Sequence, residues 1–427
     1  MRRVLIAGMI GNGLEWYDFA LYGYFAPILG ELFFPGSDSA TQLIQTYGIF
    51  AAGFFMRPVG AVFFGSIGDK FGRKFALTLS LIMMAIPTAC IGLLPTYSAI
   101  GIWAPILLML ARMMQGLALA GQFTGSITFI VEHAPRDKRG VAGGSTVLSL
   151  CAGMLMGSAA ATFMAEILSP EAFKQWGWRI PFLFGILIAV AGYYIRSHTH
   201  ESTHYEKAKE EGKLSEAPAR ETFKNHKMDV LRGIGIYLCV TVPFYTLTVF
   251  LNGFLVKVLG HPQKDALLMG TCSMILLMLL VVPTAALSDK IGRKRLLMAT
   301  SVVYFLAAYP IFCLMTQPGF APAFEAVLLF TLVIGFYIGA APTVFVELFP
   351  TSVRYTGMSL SYNLCAALFG GTAPGICTWL VKVANQHPEL DAYIQKNTVV
   401  AFYIMLSAAL SFIAFLGYHD RYKEELN

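Results

Sequence analysis

Charge is what this sequence has least of. Only 13% of its 427 residues are Asp, Glu, Lys or Arg, about half the share of a soluble domain. With 56% hydrophobic residues and a mean hydropathy of +0.62, an aqueous globular fold is excluded and a membrane protein is indicated. Paired cysteine spacing is missing too. The cysteines at 90, 151, 239, 272, 313, 365 and 377 show no CxxC, and all lie in apolar segments. They read as small core residues, not as a disulfide framework or a metal site. No P-loop is present, which argues against ATP-driven work, and no nucleophile–base–acid set marks an enzyme. The basic residues form no single patch, so the net charge of +6 does not point to nucleic acid. His198, His200 and His204 in "HTHESTH" have ligand-like spacing. They sit among Glu and Lys in a polar segment and read as a solvated surface. The adjoining "EKAKEEGK" reads as an exposed linker helix. No metal and no cofactor are expected.

Apolar sequence fills the chain instead, in runs long enough to cross a bilayer, for which about 20 residues suffice. Twelve runs are found: 4–30, 41–64, 75–95, 104–131, 141–168, 179–196, 231–258, 265–287, 296–316, 322–347, 356–384 and 397–417. The expected fold is therefore an all-α membrane protein with twelve transmembrane helices. Forty glycines and 20 prolines are tolerated there, because neighbouring helices satisfy freed backbone groups and glycine permits close packing. The N-terminal "MRRVLIAGMIGNGLEW" starts like a signal peptide but lacks a small-residue cleavage site, so it reads as a retained first span. One polar segment, 197–230, separates the halves 1–196 and 231–427. With both termini inside, 23 of the 31 Lys and Arg fall in inward segments and six in outward ones, which orients the chain by its basic loops.

The halves repeat each other. "GSIGDKFGRK" (65–74) returns as "AALSDKIGRK" (285–294), and "VEHAPRDKRG" returns as "VELFPTSVRY". Glu132, Pro135 and Arg139 thus recur as Glu347, Pro350 and Arg354. Two parallel six-helix repeats are the architecture of a rocking, two-lobed carrier. Gly72 and Gly292 are placed for tight turns. Asp69 and Asp289 stand where the next helices begin, to pair with Arg139 or Arg354 or to face a helix N-terminus. With Arg73, Glu132, Arg293 and Glu347 they form a candidate cytoplasmic gate. The bland alternative is topogenic positive charge alone.

The sequence resembles the major facilitator superfamily along its whole length. More narrowly it resembles the metabolite:proton symporters, which include proline/betaine, α-ketoglutarate, citrate and shikimate carriers. The matching segments are "GNGLEWYDFALYG", "RPVGAVFFGSIGDKFGRK", "RMMQGLALAGQFTG", "WGWRIPFL" and "ELFPTSVRYTGMSLSYN". The resemblance implies alternating access with spans 1, 4, 7 and 10 lining the cavity. It also implies a bacterial inner membrane and a small-molecule solute, a proton and lipid as partners of a monomer. The proline/betaine carriers match best, so uptake of an osmolyte zwitterion is the expected function. A carboxylate symporter, a drug or siderophore exporter and a non-transporting solute receptor are the alternatives. Some osmosensing relatives carry a long cytoplasmic tail; the short "HDRYKEELN" after the last span argues against osmotic gating.

Charges inside spans are costly and mark function. Glu15, Asp18 and Tyr22 share one face of span 1. On span 4, Arg112, Gln115 and Gln122 lie on a polar stripe. At ~1.5 Å per residue, Asp18 lies ~18 Å and Arg112 ~21 Å from the inner face. An Asp18–Arg112 pair is therefore expected, either made and broken during proton coupling or permanently structural. Glu15, the second proton candidate, has no evident cationic partner, and Arg57 is placed near the cytoplasmic mouth. Relatives usually carry an acid where this chain has Gln122. Either coupling has moved to Glu15 or Asp18, or Gln122 binds substrate, or the protein is not proton-coupled. Trp16, Tyr22, Tyr245 and Tyr337 offer ring faces for a quaternary ammonium, and Arg112 a partner for a carboxylate.

Overall fold

The computed structural model describes residues 2–36, 39–197, 201, 203–212, 214, 217–387 and 395–426. His198 and His200 lie outside the described residues, as does the side chain of His204. Regular structure among the described residues is helical. The first half holds α1 (Arg2–Phe33), α2 (Ser39–Phe71), α3 (Arg73–Leu93), α4 (Trp103–Glu132), α5 (Arg139–Ile167) and α6 (Arg179–Ser197). Two short helices, Thr203–Glu210 and Pro218–Asn225, follow. The second half holds α7 (Lys227–Lys257), α8 (Gln263–Ile291), α9 (Arg293–Met315), α10 (Phe320–Leu348), α11 (Arg354–Gln386) and α12 (Val400–Leu416). Ten of these, in α2–α5 and α7–α12, are long and apolar enough to cross a membrane. Their outward faces stay apolar: Phe55 is 72% exposed and Leu279 68%, as hydrocarbon-facing helices require.

Gly72 and Gly292 end α2 and α8 with φ of 107° and 97°, a region closed to most side chains. The apolar run of α2 stops near residue 64, but the helix continues through the Asp-Lys pair to Phe71. Three helices of the second half are interrupted near their prolines, which cannot donate to the helical ladder. A π-helical turn, Thr246–Phe250, follows Pro243 in α7; another, Ala366–Gly370, precedes Pro374 in α11; α10 breaks before Pro342.

In the first half α1 packs on α5, and α2 on α4. The α2–α4 approach depends on glycine. A Cβ on Gly116 would stand 2.0 Å from the Gly53 carbonyl. Two buried arginines, Arg57 and Arg112, sit on these closely packed helices. Across the halves, α2 runs along α11 and α5 along α8. The largest apolar core belongs mainly to the second half and reaches the first through Trp16, Phe54 and Phe123.

Candidate functional site

Two buried acids of α1 find different partners. Asp18 meets Arg112 of α4 at 2.8 Å. Arg112 also donates to Gln115 Oε1 at 2.7 Å, and Gln115 Nε2 donates to Thr88 at 2.8 Å. The Tyr22 ring lies 4.2 Å from the guanidinium, while its hydroxyl donates to the Thr46 carbonyl. This group lies within the first half. Tyr22 and Gln115 are thus committed to holding Arg112. Gln122 accepts from Ser80 at 2.6 Å, bridging α4 to α3.

Glu15 corrects one expectation: its charged neighbour is Arg57. Arg57 corrects another. Because α2 extends to Phe71, Arg57 stands about 21 Å from that helix's C-terminal end at 1.5 Å per residue, not near it. Both side chains are 1% exposed. The Arg57 guanidinium lies 4.1 Å from the Phe54 ring centre, and Tyr245 and Tyr362 of the opposite half are its other electrostatic neighbours.

Aromatic rings enclose this charged centre from both halves. Trp16 packs against Phe19 at 5.1 Å and Phe244 at 5.7 Å. Tyr245 packs against Phe54 at 5.8 Å, and Phe123 against Tyr362 at 4.8 Å. Trp16 and Tyr245 thus stand among the rings where the two halves meet. Tyr337 does not: its hydroxyl donates to the Ile236 carbonyl at 2.6 Å and its ring faces Tyr304, inside the second half. The expectation that it lines the centre is corrected by that commitment. Tyr362 and Phe244 were not singled out from the sequence. Their only signal is the polar "SYN" of α11 and the Pro243-Phe244-Tyr245 string of α7.

Where α2 and α8 end, the repeated acids face helix N-termini of the opposite half. Asp69 accepts from the backbone of Tyr355 and Thr356 at 3.2 and 2.9 Å and from the Thr356 hydroxyl at 2.7 Å. Asp289 accepts from Gly140 and Val141 at 2.8 and 3.1 Å. The arginines four residues on anchor them: Arg73 lies 3.0 Å from Asp69, and Arg293 2.6 Å from Asp289. Arg354 crosses to Glu132 at 2.8 Å, and Arg293 reaches Glu347 at 3.3 Å. Arg139 departs from the symmetry and donates to the Glu424 carbonyl of the C-terminal segment at 2.7 Å.

Apolar helices with a polar, charged centre at the junction of two halves define a membrane carrier. The chain belongs to the major facilitator superfamily, whose family model matches residues 8–374; it is a secondary transporter, not an enzyme. It is 34% identical to the glycine betaine/proline/ectoine/pipecolic acid transporter OusA of Dickeya dadantii over 92% of this chain and 80% of that protein. It is 31% identical to the proline/betaine transporter of Escherichia coli K12, over 97% and 82%. With the α-ketoglutarate permease of Escherichia coli K12 the identity is 32%, over 94% and 92%. Among solved structures it resembles the proton:xylose symporter XylE bound to 6-bromo-6-deoxy-D-glucose. The TM-score is 0.80 at 15% identity, covering 98% of this chain and 96% of that one.

Proposed function

We propose that the chain imports an osmolyte zwitterion of the proline or betaine kind, driven by protons, through alternating access. Twelve spans in two six-helix repeats, 1–196 and 231–427, rock about the centre. The segment 197–230 joins them on the cytoplasmic side of a bacterial inner membrane, where both termini lie, and the working unit is a monomer in lipid. The observation that carries this reading is the central site: one buried acid and one buried cation inside aromatic rings contributed by both halves. The names of the relatives OusA and the proline/betaine transporter support the same solute class. A dicarboxylate reading, raised by the permease relative, is less well supported. Arg57 is accompanied by Glu15, and Arg112 is already held by Asp18, so two free cations do not converge on the centre.

The Asp18–Arg112 pair is the proton site. Protonation of Asp18 weakens its hold on Arg112, and Tyr22 and Gln115, which already contact the guanidinium, retain it. Gln122 cannot titrate, and its bond to Ser80 assigns it to holding α4 against α3. The acids and arginines at the cytoplasmic end form the gate that is shut while the site faces outward. Uptake of labelled betaine into proteoliposomes under an imposed pH gradient tests the reading. Gradient-dependent accumulation that a protonophore abolishes is expected. Binding without flux would instead make the protein a receptor, and flux of α-ketoglutarate alone would make it a carboxylate carrier.

A further inference from the structure

The Asp18–Arg112 pair is in direct contact at 2.8 Å and bonds to side chains of its own half, although Asp18 Oδ1 and Arg112 Nε take no part in those bonds. The second charged pair differs in lacking a direct contact and in being surrounded by side chains of both halves. Glu15 and Arg57 are electrostatic neighbours, yet no direct ion pair joins them among the described residues. Among the described residues Glu15 Oε2, Arg57 Nε and Trp16 Nε1 have no hydrogen-bond partner, while the Tyr245 hydroxyl of the opposite half lies against the Arg57 guanidinium. All four side chains are at least nine-tenths buried. Rings from both halves surround them, with Trp16 against Phe244 at 5.7 Å and Phe54 against Tyr245 at 5.8 Å.

A buried charge without a direct partner is costly, and removing its counter-charge is more so. Two opposite charges held apart in one enclosure are best satisfied by a third species carrying both signs. We propose that Glu15 and Arg57 are the two poles of a zwitterion clamp. The ligand carboxylate docks on Arg57, with donors from Trp16 and Tyr245 within the same enclosure. Its ammonium docks on Glu15 and against the faces of the rings. Insertion leaves the net charge of the enclosure at zero. A monoanion would leave it at −1 and a cation at +1, and in a low-dielectric interior that imbalance is what discriminates. The inference rests on the reading of the chain as a carrier of small zwitterions, and it places selectivity at a pair distinct from the proton site.

Isothermal titration on the purified full chain tests it with three probes of nearly one shape. Glycine betaine carries both charges. Its carbon analogue 3,3-dimethylbutyrate carries only the carboxylate, and choline only the ammonium. The wild-type chain is expected to bind betaine about 100-fold tighter than either. Glu15→Gln should weaken betaine about tenfold and strengthen 3,3-dimethylbutyrate by a similar factor; Arg57→Gln should weaken betaine and strengthen choline. A residue that merely holds the fold would not reverse charge preference. The clamp is overturned, with the transport reading intact, if the wild-type chain binds betaine and 3,3-dimethylbutyrate alike. Folded variants that weaken all three probes equally would overturn it too. Should Arg57→Gln fail to fold, the wild-type comparison and Glu15→Gln decide. A folded wild-type chain that binds no zwitterion but takes up a dicarboxylate removes both the clamp and the transport reading.

Discussion

At the scale of single residues, the two acids of α1 divide the work because they point at different helices. Asp18 is three residues beyond Glu15, a net offset of about 60° on the same side of the helix. That step turns it from Arg57 on α2 to Arg112 on α4. Asp18→Asn is expected to lower uptake driven by a pH gradient about 100-fold while leaving betaine counterflow measurable, since exchange needs no net proton movement. Counterflow and gradient-driven uptake lost together would mean that the pair is structural. A second prediction follows from burial. Arg112→Leu strands a buried carboxylate and should destabilise the chain by about 3–5 kcal/mol, and the double variant Asp18→Asn with Arg112→Leu should regain much of it. Thermal unfolding of the three variants in detergent measures this; equal melting temperatures for the single and double variants would contradict it. The Asp18–Arg112 approach was legible in the sequence because both residues lie in uninterrupted helices, where depth is simply residue count. The partner of Glu15 was not. The apolar run of α2 ends near residue 64, seven residues before its helix does, and Arg57 was set too close to the mouth by that shortfall.

At the scale of elements, the twice-written DKxGRK segment has a partner that is also written twice. After α2, the backbone N–H of Lys74 in the first turn of α3 donates to Glu201 at 3.0 Å, and Tyr205 donates to the Lys70 carbonyl at 2.7 Å. After α8, the N–H of Lys294 in the first turn of α9 donates to Asp420 at 2.9 Å. The Tyr422 ring then lies 5.7 Å from Arg293, as the Tyr205 ring lies 5.1 Å from Arg73. The linker and the C-terminal segment therefore play one role in the two halves: each supplies an acid to an uncapped helix start and an aromatic ring to its arginine. Glu201→Ala and Asp420→Ala should each cost about 1 kcal/mol, the usual worth of a side-chain cap, read as a lower melting temperature. No change in either variant would show the caps to be passive. The positive-φ turns at Gly72 and Gly292 could be read directly from repeated glycine. The caps could not, because linker and tail share no motif beyond an acid followed by a tyrosine. The ring enclosure of α7 and α11 was hidden for a related reason: apolar helices announce their existence by hydropathy but not which neighbour each face will meet.

At the scale of the whole molecule, the bonds that join the two halves are gathered toward one end. Asp69, Arg73, Glu132 and Gly140 of the first half meet Thr356, Thr351, Arg354 and Asp289 of the second. The first-half positions lie at the end of α2, the start of α3, the end of α4 and the start of α5; in the proposed cycle they close the inner mouth. On the proposed alternating-access reading, opening inward breaks them together, and their summed strength sets the balance between the two states. Asp69 alone accepts three bonds at the start of α11, and its charge strengthens each. Asp69→Asn keeps the shape and removes the charge, a loss of about 1–2 kcal/mol that moves the two-state equilibrium about 5- to 30-fold toward the inward-open form. Spin labels at the exposed Lys138 and Lys290, one on each half beside the gate, report that equilibrium as a distance distribution by double electron–electron resonance. The variant should show a second, longer distance at a population the parent lacks. Asp289→Asn should do the same, since it removes the matching cap from α5. A distribution unchanged in both variants would mean that the ion pair from Arg354 to Glu132, the one that crosses between the halves, holds the mouth without help. The acids would then only terminate helices.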